Sequence, residues 1–75
     1  MTRLPAISGE EAIKALSKAG FVFVRQKGSH VRMKRVTSER TINVTIPLHD
    51  VLDRGTLRSI IKAANLTVEE FVELL

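Results

Sequence analysis

The sequence predicts an α+β domain of order α-β-β-β-α(-α), in which helices cover one face of a three-stranded antiparallel sheet. Three observations carry this reading. Apolar residues recur at helical spacing near both ends of the chain, and capping residues stand before the first and last of these stretches. Between them, residues 21 to 46 hold three short runs suited to strands, two of which alternate apolar with polar side chains. Gly20, Gly28, Pro47 and Gly55 fall at the joints between segments.

The first helix opens on Ser8-Gly9-Glu10-Glu11, serine at the N-cap and glutamate three residues on, and runs to about Ala19, where Gly20 suits a left-handed stop. Ala12, Ile13, Leu16 and Ala19 form its expected inner stripe, with Lys14 and Lys18 toward solvent. Phe21 to Lys27 reads as the first strand and Ser29 to Val36 as the second. Gly28 supplies the backbone freedom of the tight turn between them. In the second strand the two-residue period separates Val31 and Met33 from His30, Arg32 and Lys34. The first strand is ambiguous, because Phe21/Phe23 and Val22/Val24 are both apolar sets.

A polar connection, Thr37 to Arg40, leads to a third strand from Thr41 to Ile46, with Ile42, Val44 and Ile46 inward and Thr41, Asn43 and Thr45 outward. Pro47 is expected to end it, since proline cannot donate to the ladder. A loop through Asp53 and Gly55 then feeds a helix starting near Thr56, with Leu57, Ile60, Ile61 and Ala64 inward and Arg58 and Lys62 exposed. Asn65 suits its stop, and Thr67 with Glu70 caps a last short helix whose apolar side is Val68, Phe71, Val72 and Leu75.

At 75 residues, 44% hydrophobic and 27% charged, the chain reads as one soluble domain over residues 1–75 with a small core. The absence of cysteine excludes disulfides, thiolate chemistry and cysteine-ligated zinc. No apolar run is long enough to span a membrane, and Met1 to Pro5 lack the apolar stretch of a signal peptide, so a cytoplasmic protein is expected. The net charge is +4 and unevenly spread. Between Lys14 and Arg40 stand eight bases and one acid, Glu39, whereas three glutamates and no base follow Ala63. A basic middle with an acidic tail suits a polyanion partner, nucleic acid first and an acidic membrane second.

The chemistry on offer is narrow. Two histidines without a neighbouring cluster at ligand spacing do not build a metal site, and no glycine-rich phosphate loop is present. Acid–base chemistry on a polyanion remains, since imidazole exchanges protons near neutrality. RNA carries its own nucleophile in the 2′-hydroxyl, so a base and a few cations suffice to cleave it. His30, with Arg32 and Lys34 on the same strand face, offers those groups without a metal. The alternatives are that His30 is an ordinary surface histidine, or that it contacts phosphate in a non-catalytic RNA-binding module. His49 reads as a loop residue bonded to nearby backbone.

Three blocks in order, Gly28-Ser29-His30, then Pro47-x-His49-x-x-Leu52-x-x-Gly55-Thr56-Leu57-x-x-Ile60, then Asn65-Leu66-Thr67-x-Glu69-Glu70-Phe71, resemble the HicA (YcfA-like) toxins of type II toxin–antitoxin systems. The likeness covers about Leu4 to Leu75. It implies a fold similar to the double-stranded-RNA-binding domain and the activity of an mRNA interferase, a ribosome-independent endoribonuclease that blocks translation. It implies no cofactor, RNA as substrate, and a HicB-type antitoxin as partner. His30 falls on the family's catalytic histidine. Lys27, Gly28, Ser29, Arg32 and Lys34 are the expected RNA contacts, and His49 a supporting residue without a settled role. Asn65 departs from a glycine found in many members, and it too tolerates the left-handed conformation.

Overall fold

Helix α1 spans Gly9–Lys18 of a computed structural model, which describes residues 3–75. Its start is the reciprocal box expected at Ser8. The Glu11 amide donates to the Ser8 hydroxyl and the Ser8 amide to the Glu11 carboxylate, each at 3.1 Å. Its end is left-handed Gly20, flanked by Phe21 N–H to Leu16 C=O and Gly20 N–H to Ser17 C=O bonds, the paired closure of a Schellman stop. Ala12, Ala15 and Leu16 are buried, while Ile13 and Ala19 are only partly covered. The inner stripe thus runs through Ala15, one step round the helix from the expected line.

Strands β1 (Val22–Lys27), β2 (His30–Val36) and β3 (Thr41–Pro47) form one antiparallel sheet in the order β1-β2-β3. Val31 and Met33 of β2 and Val44 and Ile46 of β3 turn into the core, as their period predicts. Two boundaries differ from expectation. Phe21 precedes β1, because its amide closes α1 and its ring is buried. Pro47 belongs to β3 and stands opposite His30; proline is tolerated in an edge strand such as this one.

The larger departure is β1 itself. None of its six residues is buried, and Val22, Phe23 and Val24 are 54%, 59% and 41% exposed. The helices lie over β3 and the core side of β2, so β1 is carried chiefly by its pairing with β2. The pairing slips between Phe23 and Arg25, leaving Val24 without a partner in β2, a bulge of the kind that twists an edge.

Helix α2 (Arg54–Ala63) begins two residues before the expected Thr56, because Asp53 is its cap: the Asp53 carboxylate accepts the Thr56 amide at 2.7 Å and the Thr56 hydroxyl at 3.1 Å. Leu57, Ile60, Ile61 and Ala64 are buried as predicted. Asn65 closes the helix at φ 61°, and the Thr67–Glu70 box opens α3 (Val68–Glu73). Phe71 of α3 is fully buried, and Leu74, rather than the exposed Leu75, joins the core margin. The order α-β-β-β-α-α is the expected one, with the sheet open on the face away from the helices.

Candidate nucleic-acid interface

The site begins with a two-residue turn. Lys27 of β1 pairs with His30 of β2, and Gly28 and Ser29 join them, with Gly28 at φ 59°. A glycine with positive φ at the first central position is what a type II′ hairpin turn requires. The Gln26 side-chain amide donates to the Gly28 carbonyl at 3.0 Å and steadies the turn from outside.

This end of the hairpin is then tied to the body of the protein. The Leu48 amide donates to the Ser29 carbonyl at 2.7 Å, and His30 stands opposite Pro47. The Gly9 amide, one of the free donors at the start of α1, is taken by the His49 carbonyl at 2.9 Å, and the Leu52 amide by Ile7 at 2.8 Å. Gly9 is buried, and a Cβ there would overlap the Pro47 carbonyl oxygen. Hairpin tip, β3 end and helix start therefore meet at one point, and His30 projects from the strand nearest to it.

The register fixes which side chains share His30's face. Residues directly opposite one another in a ladder project from the same side. Lys27 stands opposite His30, Arg25 opposite Arg32, and Thr45 opposite Arg32 on the other flank. Lys34 faces Val22 and Asn43 across the same side. Arg25, Lys27, His30, Arg32 and Thr45 line one shallow depression of about 220 Å³. No acidic residue occurs in any of the three strands, so the face presents positive charge without an internal counterion.

The structure brings together His30, Lys27 and Arg32 of the sequence-predicted set and places Lys34 one step farther along β2. Gly28 and Ser29 are exposed at the rim of the face. Arg25 and Thr45 complete the depression and were absent from that set. Arg25 is two residues from Lys27, and Thr45 belongs to the outward set of β3, so both signals were present at the two-residue period. His49 does not line the depression. It is exposed, and its carbonyl accepts the Gly9 amide.

A larger hollow of about 650 Å³ lies beyond Thr45, between β3 and α2. Its one titratable lining residue is Asp53, held below the ordinary carboxylate range first by the Thr56 amide and then by the Thr56 hydroxyl. That carboxylate is occupied in capping a helix, so the hollow offers no comparable acid–base group. Among the described residues no three His, Cys, Asp or Glu side chains gather as a metal site would need, and no helix is long and apolar enough to cross a membrane.

An exposed imidazole flanked by three cations on an open sheet can move a proton at a phosphodiester and neutralise the charge that develops there. A family model described as "HicA toxin of bacterial toxin-antitoxin" matches residues 9–66, from the first residue of α1 to the closure of α2. No curated protein matches the chain.

Proposed function

Since the chain belongs to the HicA toxin family, we propose that it is an endoribonuclease toxin of a type II toxin–antitoxin system that cleaves mRNA in the cytoplasm without a metal or the ribosome. The observation that carries this reading is the grouping of His30 with Arg25, Lys27 and Arg32 around one depression on an otherwise open sheet face. His30 takes the proton from a ribose 2′-hydroxyl as its oxygen bonds to the adjacent phosphorus. The P–O5′ bond breaks, and the imidazolium returns its proton to the departing 5′-oxygen, leaving a 2′,3′-cyclic phosphate and a 5′-hydroxyl. The guanidinium and ammonium groups stabilise the extra negative charge carried by the phosphorane, a task that elsewhere falls to a metal ion.

The partner is an antitoxin of the HicB type. An acidic surface laid on this face would find cations on β1 and β2 to pair with, and would screen His30 from RNA.

The test is cleavage of a long RNA by the purified protein in excess chelator, beside a His30→Ala variant of unchanged circular dichroism. Cleavage should persist in the chelator and fall by roughly 10²–10⁴-fold in the variant. Activity abolished by the chelator and restored by magnesium would overturn the metal-independent mechanism. A folded His30→Ala protein as active as the parent would instead favour a module that only binds RNA.

A further inference from the structure

The open face has an order beyond its charge. His30, Arg32 and Lys34 occupy alternate positions of β2 and project from one side, so they stand about 6.8 Å apart, two strand residues per step. That interval is comparable with the distance between successive phosphates of an extended nucleic-acid strand. Lys27 and Arg25 of β1 stand beside the first two of these positions, and Thr45 and Asn43 of β3 flank the second and third. The face is thus a row of cations bordered on one side by hydroxyl and amide groups.

It lacks something a base reader would have. Proteins that grip unpaired bases do so largely by stacking them on aromatic rings. The aromatic residues here are three phenylalanines. Phe21 and Phe71 are buried, and Phe23 stands opposite Met33, which turns to the helix side. Among the described residues the face that carries His30 thus holds one ring, the His30 imidazole itself, which the cleavage step occupies. Bidentate reading of a base edge would fall to Arg25 and Arg32, which stand together at one phosphate position, and to one amide, Asn43, beside Lys34 and two steps from His30.

We propose that RNA lies on this face as a single strand running along β2, with successive phosphates at His30, Arg32 and Lys34, held by its backbone and cleaved almost without regard to the bases at the scissile bond. The proposal rests on the endoribonuclease reading and specifies its substrate. A single strand is favoured over a duplex for a chemical reason. The attacking 2′-oxygen must line up opposite the departing 5′-oxygen, and stacking in a regular helix holds the two away from that line.

The experiment uses short single-stranded oligouridylate, oligocytidylate and oligoadenylate and the adenylate–uridylate duplex, followed both for cleavage by the parent and for binding by His30→Ala. A stacked base or a bidentate base contact is worth roughly five- to a hundredfold. With neither at the scissile bond, the three single strands should be cleaved with kcat/KM values within about tenfold, and the duplex far more slowly. Lys34→Ala should raise KM more than it lowers kcat, and should reduce the log–log salt slope of binding by roughly 0.7, one phosphate contact. Phe23→Ala should leave binding unchanged. Strong preference for one base at the cut, equal cleavage of the duplex, or weakened binding by Phe23→Ala would overturn the proposal. Equal binding of all single strands with no cleavage of any would keep the track and reject the ribonuclease reading instead.

Discussion

His30 and His49 differ less in chemistry than in what holds them. His30 stands on a strand whose end is fixed by the Ser29–Leu48 bond and by the Gly28 turn, and its side chain has only cations and Thr45 as neighbours in the depression. His49 contributes its backbone to the junction with α1 and keeps its ring outside that depression. His49→Ala should therefore retain most of the cleavage that His30→Ala loses, a comparison made by kcat/KM on one RNA at matched folding. His30, Arg32 and Lys34 were legible as one face because a strand's period is local. Arg25, two residues before Lys27, was legible by the same period; what no neighbouring residue announces is the slip at Val24, which sets Phe23 opposite Met33 instead of on the face of His30.

At the scale of elements, the ends of helices were easiest to read where the cap and its partner are both local. Ser8 with Glu11, Thr67 with Glu70, Gly20 and Asn65 all stand where expected. The start of α2 was harder: Thr56 is itself a good capping residue and Arg54-Gly55 an unpromising opening, so only the Asp53 carboxylate reaching Thr56 reveals the true first turn. This cap has a pH signature. The Thr56 amide and hydroxyl lower the Asp53 pKa, so its folded value lies below the unfolded one. Its stabilisation is then present above the unfolded value and is lost as pH falls through the folded one. Asp53→Asn keeps an acceptor but cannot titrate, and should flatten the decline in melting temperature below about pH 4, measured against the parent across an acid series.

For the whole molecule, stability rests on a small core. Phe71, Leu16, Met33, Ile46 and Leu57 are its largest fully buried side chains, and they come from α3, α1, β2, β3 and α2 in turn. The short α3 thus matters beyond its length. Phe71→Ala should cost about 3–5 kcal/mol, a large share of the roughly 5–15 kcal/mol typical of a folded domain, so the variant should melt roughly 12–40 °C below the parent by calorimetry. The sequence patterns foretold which helices would cover the sheet. They could not show that this cover stops at β2, because how far a helix layer reaches is decided by packing across the sheet rather than by any one strand's composition.

That uncovered margin bears on how the protein behaves in bulk. Val22, Phe23 and Val24 form a stretch of high strand propensity, free of proline, along a border that has no neighbouring strand on its outer side among the described residues. Two features keep like molecules from zipping together there: the kink at Val24, and the mutual repulsion of Arg25 and Lys27 on approaching copies. Only the second responds to solvent. Raising ionic strength shortens the screening distance from about 10 Å at 0.1 M to about 3 Å at 1 M. Salt high enough to displace RNA from a face that holds it by charge should therefore also promote self-association, visible as rising light scattering, with Phe23→Lys resisting it.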